Sequence, residues 1–309
     1  MIQSYKQQPQ LKEAYDTIII GSGMGGLSTA AILSKQGHKV LVLERHYTAG
    51  GFTHVFKRKG YEWDVGIHYI GEVQRKNSMM RKLFDYITNS ELKWADMGEV
   101  YDRIVIGEKH FDFVKGVKNF KKQMISYFPE EEHAINTYVD LVFKTVKASR
   151  NYFISKAIPP FLNTLIGRFL KTPFYKMADQ TTDEVLRSLT TNETLIKVLC
   201  GQYGDYGLPP KQSSFYMHAT VVRHYFDGGS FPVGGSSQIV KKVAPIIAAS
   251  GGTILINAEV AEVLIENNRA NGVRMTDGKI IKAKNIVSNA GIMTTYTKLL
   301  PSESVKKHQ

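Results

Sequence analysis

The N-terminal hydrophobic pattern predicts a β-turn-α-β unit. Residues 17–20 form a short, largely β-branched apolar run, typical of a strand buried in a parallel sheet. Residues 27–36 have helical composition and stop before Gly37, a suitable C-cap. Residues 40–43 form a second apolar run, which ends at Glu44. The pattern therefore predicts two neighbouring buried strands joined by one helix.

A helix-strand pattern returns in the last third of the chain. Residues 239–249 are apolar and helix-like, and residues 253–256 have the character of a strand. Val260, Val263 and Ile265 then alternate with polar or small neighbours, which predicts a further strand. Two turns are predicted beyond it, at Asn271-Gly272 and at Gly278. The chain is thus expected to return to a sheet after a long intervening segment.

The glycines after the first predicted strand follow the spacing of a dinucleotide-binding turn. Gly21 allows the tight turn, Gly23 lets the backbone approach a pyrophosphate, and Gly26 permits close helix-strand packing. The phosphates would lie on free N–H groups of the first helical turn, at Met24 and Gly25.

An acidic residue completes this fingerprint. Glu44 lies 23 residues after Gly21, close to the offset of a carboxylate that accepts hydrogen bonds from a ribose hydroxyl. Arg45 follows it and could hold a 2′-phosphate, which would favour NADP, or could be a solvated charge. The motif predicts a dinucleotide and leaves its identity open.

Composition narrows the class of protein. The 309 residues suggest two domains, and a hydrophobic content of 43% excludes disorder over most of the chain. The single Cys200 forms no internal disulfide and is expected to be a small buried hydrophobe, and no metal site is expected. The polar N-terminus lacks a signal peptide, and no apolar run is long enough to cross a bilayer. A cytoplasmic location is therefore expected.

The net charge of +12 has several explanations. Nucleic-acid binding is disfavoured because zinc-finger spacing, an RNP-like aromatic motif and a basic zipper are all lacking. One cluster of lysines is interpreted as a solvated helix face: Lys115, Lys118, Lys121 and Lys122. An anionic membrane surface remains as an explanation.

Beyond Glu44 the chain resembles a known flavoprotein superfamily, that of phytoene desaturases, carotenoid isomerases and retinol saturases. Gly50 and Gly51 introduce a β-like stretch at residues 52–65, and a second matching block runs from Phe231 through Pro-Val-Gly-Gly-Ser-Ser-Gln. Further matches to the retinol-saturase-like branch begin at residues 201, 213 and 224. The resemblance implies FAD as the cofactor, with the glycine pair along it and the backbone of Val260 on the adenine.

The fold that follows from this resemblance is α/β. It comprises a Rossmann-like FAD-binding domain, with a parallel sheet and a β-meander, interrupted by an α+β substrate domain. The expected boundaries are residues 14–75 and 231–300 for the FAD-binding domain and 76–230 for the substrate domain.

The substrate domain contains one amphipathic pattern. Residues 150–178 carry five basic side chains and no acidic one. Apolar positions recur there at helical spacing: Phe161, Leu162, Leu165, Ile166, Phe169 and Leu170. A basic, aromatic-rich helix after the Pro159-Pro160 break fits a membrane interface, whereas an ordinary helix would bury this face in the core. We favour peripheral membrane contact, which also gives a hydrophobic substrate an entrance.

The resemblance implies an FAD-dependent oxidoreductase that reduces or desaturates carbon-carbon bonds of an isoprenoid or retinoid-like polyene. NAD(P)H is a candidate electron donor. The alternatives are a flavin enzyme with an unrelated substrate, a nicotinamide-only dehydrogenase, and a non-catalytic flavin-binding or membrane-associated protein. Oligomeric state is left open.

The catalytic acid or base is not assigned by sequence, because side-chain type without geometry does not define it. The candidates near the flavin or in the substrate region are His54, Asp64, His68, Tyr69, His218 and His224. His68 is preferred, and a histidine fixed by hydrogen bonds in a packed core is the alternative for each histidine.

Members of the resembled family continue past the point that matches residues 289–291 and end with a segment that closes over the flavin. Residues 301–309 form a polar tail instead. We therefore expect a fragment of a longer polypeptide, a second chain that supplies the remainder, or a loss of turnover.

Overall fold

The computed structural model of the protein describes residues 2–11 and 15–306. It divides into two units, which we describe separately. The first comprises the described residues of Met1–His68, Lys76–Ala95 and Phe231–Gln309, and the second comprises Tyr69–Arg75 and Asp96–Ser230. Residue 14, the first of the predicted FAD-binding domain, and the last three residues of the predicted polar tail lie outside the described residues.

The strands are β1 Ile2–Ser4, β2 Tyr15–Ile20, β3 Val40–Leu43, β4 Val55–Arg58, β5 Tyr61–Asp64, β6 Ile70–Gly71, β7 Trp94–Asp96, β8 Val100–Ile106, β9 Lys109–Val114, β10 Gly229–Pro232, β11 Thr253–Ile256, β12 Val260–Glu266, β13 Arg269–Met275 and β14 Ile280–Ser288. The α-helices are α1 Met24–Lys35, α2 Met79–Ile87, α3 Val117–Tyr127, α4 Glu132–Ala157, α5 Pro160–Ala178, α6 Thr182–Leu189, α7 Glu193–Leu199, α8 Phe215–Tyr225, α9 Gln238–Ala249, α10 Ile292–Thr294 and α11 Ser302–Lys306. A π-helical turn, Thr295–Leu299, follows α10.

The first unit is built on a seven-stranded sheet in the order β1-β11-β3-β2-β14-β13-β12. The first five strands in this order pair in parallel: β1, β11, β3, β2 and β14. Ile18 of β2 lies opposite Leu41 of β3 and Ile286 of β14. Strands β12, β13 and β14 form an antiparallel meander. The central strands are apolar on both faces because helices cover parallel sheets. The predicted fold class is confirmed.

The hairpin between β12 and β13 differs from the sequence prediction, which placed its turn at Asn271-Gly272. The turn lies at Asn267 and Asn268, where φ is +51° and +62°, as a tight two-residue hairpin requires. Gly272 instead lies inside β13, opposite Leu264 and Lys282. The prediction was wrong because asparagine also adopts positive φ, so the Asn-Gly dipeptide was not the only turn signal.

Two segments of the first unit were not anticipated from sequence. Residues Lys76–Ala95 belong to it because α2 packs on α1 and α9. The short N-terminal strand β1 pairs in parallel with β11, where Gln3 lies opposite Leu255. The domain boundaries at 75 and 230 stay a prediction. The two segments show that local sequence pattern does not indicate which unit a segment belongs to.

The second unit has its own hydrophobic core beside the β8-β9 hairpin. Its largest fully buried side chains are aromatic: Tyr138, Phe113, Phe120, Phe215 and Phe226. Cys200 is buried in the same core, and burial raises the pKa of its thiol to about 12. It is therefore the small buried hydrophobe that the sequence predicted.

Helix α5 of the second unit turns its apolar face outward. Gly167 and Phe174 are its buried residues, whereas Phe161, Leu165 and Phe169 are 67%, 70% and 79% exposed. We call the exposed set the apolar face of α5: Phe161, Leu162, Leu165, Ile166 and Phe169. Within the residues that the structure describes, no helix is both long and apolar enough to cross a membrane.

Candidate functional site

A cavity of about 740 Å³ in the first unit lies where the parallel strands end and α1 begins. Its wall contains seven of the predicted cofactor-binding residues: Gly21, Gly23, Met24, Glu44, Arg45, Gly51 and Val260. The other three predicted residues, Gly25, Gly26 and Gly50, are not part of the lining. The fold thus brings together residues that lie more than two hundred positions apart in sequence.

The glycine-rich turn joins β2 to α1 through backbone contacts that leave no room for side chains. Gly21 has φ of +96°, and a Cβ at Gly26 would lie 2.1 Å from the Gly21 carbonyl oxygen. The helix starts at the N-cap Gly23, which offers no side-chain cap, and the first turn carries no acidic residue. The N–H groups of this turn have no partner within the helix and favour an anion. The turn has the chemistry of a phosphate site.

Glu44 ends β3 beside this turn and is only 9% exposed. Its Oε2 accepts hydrogen bonds from the N–H of Ser22 at 2.8 Å and from Ser22 Oγ at 2.7 Å. Its Oε1 accepts one from the N–H of His46 at 2.9 Å. A carboxylate has about four acceptor positions. Three are occupied, so the carboxylate keeps the capacity to accept one ligand hydroxyl.

The glycine pair lies against the glycine-rich turn. A Cβ at Gly51 would lie 2.8 Å from the Cα of Gly23. The N–H of Gly50 donates to Ser22 Oγ at 3.0 Å, so Ser22 connects the pair to Glu44. Ser22 is a positioning residue that sequence reasoning missed, although its place between two motif glycines was a usable signal.

Asn289, at the end of β14, is the second residue that was missed as part of the site. Its N–H donates to the Ile20 carbonyl at 2.8 Å, and it lines the cavity. A Cβ at Gly25 would lie 2.6 Å from Asn289 Oδ1. The side chain therefore packs over the glycine-rich turn. Its place beside the end of β2 depends on the parallel pairing of β14 with β2, so no local signal in the sequence indicated it.

Two cationic side chains border the same cavity. Arg45 follows β3, and Lys298 belongs to the π-helical turn Thr295–Leu299. Both are exposed, and among the described residues neither forms an ion pair. The cavity wall therefore carries two positive side chains in addition to the carboxylates of Glu44 and Glu259.

The candidate acid-base residues of the first unit do not line this cavity. His54 Nδ1 donates to the Gly51 carbonyl oxygen. Asp64 Oδ1 accepts from the N–H of Ser236 at 3.0 Å. His68 is exposed at the last position of the unit's first segment. His54 and Asp64 therefore have structural contacts, and His68 stays a prediction.

The candidates in the second unit are also held by hydrogen bonds. His218 is fully buried between the hydroxyls of Tyr138, at 2.8 Å, and Tyr206, at 3.2 Å. Burial lowers the pKa of His218 to about 3, so it is neutral at physiological pH. His224 Nε2 accepts from the N–H of Gly71 at 2.8 Å. His218 matches the alternative interpretation of a histidine fixed in a packed core, and His224 is held by its hydrogen bond at a half-buried position.

Tyr69 donates its hydroxyl proton to Asp102 Oδ2 at 2.9 Å. Burial is the main reason that the pKa of Tyr69 lies above its usual range, and the nearby Asp102 charge adds to it. Tyr69 is thus a protonated hydrogen-bond donor. Over residues 2–11 and 15–306, no three acidic, histidine or cysteine side chains are grouped as a metal site requires.

The parallel sheet, the glycine-rich turn and the buried carboxylate define a dinucleotide-binding fold. The family model described as flavin containing amine oxidoreductase matches residues 24–308. The chain belongs to this flavin-containing family. The expected family resemblance is confirmed.

Three comparisons illustrate the relationship. The chain is 37% identical over 306 residues to all-trans-retinol 13,14-reductase of Danio rerio, covering 95% of this chain and 50% of the relative. It is 28% identical over 312 residues to the chloroplastic prolycopene isomerase of Daucus carota, covering 96% and 49%. A crystal structure of an oxidoreductase from Methanosarcina mazei has a TM-score of 0.68 at 22% identity, covering 93% and 61%. The chain spans about half the length of the curated relatives it matches.

The residues of the cavity fit a flavin dinucleotide. The first turn of α1 suits the pyrophosphate, and Glu44 has acceptor capacity for a ribose hydroxyl. Gly51, the second residue of the glycine pair, lines the cavity and places no side chain in it. Family and site together identify FAD as the cofactor, whereas the electron donor is a separate question.

Proposed function

We propose that the protein is an FAD-dependent oxidoreductase that reduces or desaturates carbon-carbon bonds of a hydrophobic isoprenoid or retinoid-like polyene. The observation that carries the proposal is the cavity that joins the glycine-rich turn to Glu44 and Val260. The substrate class rests on similarity to a relative whose name states the reduction of all-trans-retinol. NAD(P)H is the proposed electron donor.

In this proposal each part of the cavity has one task. The first-turn N–H groups at Met24, Gly25 and Gly26 hold the pyrophosphate, and Glu44 accepts a ribose hydroxyl. Ser22 keeps Glu44 and Gly50 in place through its N–H and hydroxyl. The backbone of Val260 contacts the adenine. When bound, the flavin supplies hydride transfer to or from carbon.

A proton must also move when a carbon-carbon double bond is reduced. We retain His68 as the candidate for this step because an imidazole side chain can both accept and donate a proton. His218 is a poor candidate, since burial holds it neutral and two tyrosines occupy its nitrogens. Substitution of His68 by Ala is expected to abolish turnover while FAD stays bound, and retained turnover removes His68 from the proposal.

Peripheral membrane contact through α5 is part of the proposal. The apolar face of α5 is exposed, while residues 150–178 carry no acidic side chain. Such a helix suits the boundary between headgroups and acyl chains, where a polyene dissolved in lipid is available.

The test is turnover by the purified protein under anaerobic conditions. All-trans-retinol and a carotenoid are incubated in detergent micelles with NADPH, and the products are separated and weighed by mass spectrometry. A product two hydrogens heavier supports reduction, and one two hydrogens lighter, formed with an added acceptor, supports desaturation. Unchanged polyenes in both directions, with FAD bound, would contradict the substrate class.

A nicotinamide-only dehydrogenase is the second candidate function, and the position of Arg45 on the cavity wall favours it. The neighbouring Glu44 opposes NADP as the cofactor, because a buried carboxylate repels a 2′-phosphate. NADP bound in place of flavin by the purified protein would support this alternative over the proposal.

A further inference from the structure

A second cavity, of about 690 Å³, lies between α4 and α5 in the second unit. Lys144 of α4 contributes one side of it, and α5 contributes Arg168, Phe169, Pro173 and Lys176. Pro173 lies inside the helix, where it removes one backbone donor and disturbs the regular helical path. The cavity is remote in sequence from the glycine-rich turn, and the cofactor leaves it unexplained.

The charge of this cavity is unbalanced. Lys144, Arg168 and Lys176 surround it, and within the described part of the chain none of them forms an ion pair. Residues 150–178 contain no carboxylate that could provide one. Three cations gathered without a counter-ion attract an anion, and the guanidinium of arginine matches the oxygens of a phosphate.

Apart from Thr172, the rest of the wall is apolar. Phe169, Pro173 and Met177 line it, and Phe169 is 79% exposed, so the cavity opens onto the apolar face of α5. A free inorganic anion gains nothing from such a wall. A molecule with an anionic head and an apolar chain satisfies both parts, because its chain covers apolar surface that otherwise faces water.

We propose that the cavity between α4 and α5 binds one anionic phospholipid. Its phosphate is held by Lys144, Arg168 and Lys176, and its acyl chains lie over Phe169, Pro173 and Met177. The proposal rests on the proposed membrane contact and adds to it a specific binding site for one lipid molecule. The occupant is a lipid headgroup rather than a free phosphate, because the apolar wall continues directly onto the exposed face.

The test uses the full chain and monomeric lipid. Dihexanoyl-phosphatidylglycerol, kept below its critical micelle concentration, is titrated into the protein and followed by calorimetry and native mass spectrometry. One lipid is expected to bind per chain. The pair Arg168→Gln and Lys176→Gln is expected to weaken binding about tenfold or more, because charge-assisted hydrogen bonds to the phosphate are lost. The charge-matched control pair, Lys147→Gln and Lys171→Gln, lies outside the cavity lining and is expected to bind as wild type does.

Four results would overturn the proposal. They are no binding to the wild type, equal weakening in the control pair, equal affinity for dihexanoyl-phosphatidylcholine, and displacement of the lipid by an equal concentration of inorganic phosphate. Liposome flotation of a Phe161→Asp and Leu165→Asp variant separates this proposal from membrane contact itself. That variant is expected to lose flotation and keep monomeric lipid binding. If it floats like wild type, membrane contact through α5 fails, and the titration still decides the lipid site.

Discussion

Both hydrogen bonds that Ser22 donates, from its N–H and its hydroxyl, end on the same oxygen of Glu44, at 2.8 and 2.7 Å. This pair joins the end of β3 to the turn after β2. The ribose acceptor is thereby oriented before any ligand arrives, which reduces the ordering needed on binding.

Substitution of Glu44 by Gln is expected to weaken FAD binding about tenfold or more. The amide would turn a donor toward the N–H of Ser22 or of His46, and the ribose would lose a charged acceptor, an effect of roughly 1.5–3 kcal/mol. Titration of the apoprotein with FAD, followed by flavin fluorescence, measures it. Glu130→Gln, an exposed position in the second unit, is the matched control. Equal affinity in both variants would show that Glu44 does not contact the cofactor.

Substitution of Gly26 by Ala is expected to lower the free energy of unfolding by about 1–3 kcal/mol and to release FAD. The added Cβ would lie 2.1 Å from the Gly21 carbonyl oxygen. Because both groups belong to the backbone, the clash can be relieved only by a shift of the turn itself. Gly204→Ala is the matched control, because no atom lies within 4 Å of its Cβ position. Denaturant unfolding measures the free energy of unfolding of both variants, and the flavin content of each is compared with that of the wild type. A stable, flavin-loaded Gly26→Ala protein is incompatible with the turn described here.

The sequence predicted the central strands of the sheet correctly, but it did not predict two contacts between distant segments. Residues 40–43 and 253–256 were placed correctly because strands buried on both faces are continuous apolar runs bounded by turns. Strand β1 was not predicted because it has three residues, of which Gln3 and Ser4 are polar, and because its partner, β11, lies about 250 positions away. The contact between Asn289 and the glycine-rich turn was invisible for the same reason, since it depends on which strands become neighbours. The local pattern of hydrophobic residues predicts which segments are buried and whether they are helices or strands. It does not predict which distant strands pair, because that depends on how the whole domain packs.

His218 makes stability depend on pH. Its pKa is lowered by burial from 6.5 to about 3, so the unfolded chain takes up a proton between these values and the folded protein does not. The free energy of unfolding therefore falls as pH drops from about 6.5 toward 3, by about 1.4 kcal/mol per pH unit for this group.

Denaturant unfolding at several pH values measures this effect, and His218→Gln is expected to flatten the decline by that amount. Thr220→Ser, at an exposed position of α8 that carries no titratable group, serves as the control and is expected to keep the wild-type slope. An unchanged slope in His218→Gln would mean that His218 is not held neutral by the core.

Replacement of Phe161 and Leu165 by Asp is expected to remove the protein from floating liposomes. Each apolar side chain buried in a membrane contributes roughly 1.5–3 kcal/mol, and each new carboxylate opposes insertion. The control pair is Val105→Asp and Leu208→Asp, which are 56% and 48% exposed elsewhere in the second unit. Flotation on anionic vesicles compares the two. If both pairs float alike, α5 is not the membrane contact.

The most direct test of the account is the absorbance spectrum of the purified protein, together with the identity of the nucleotide released on denaturation. The wild-type protein is expected to be yellow and to release one FAD per chain, and the Gly26→Ala variant is expected to have lost the flavin. A colourless protein that neither carries FAD nor binds it when FAD is added, or one that carries a nicotinamide dinucleotide instead, would contradict the central claim.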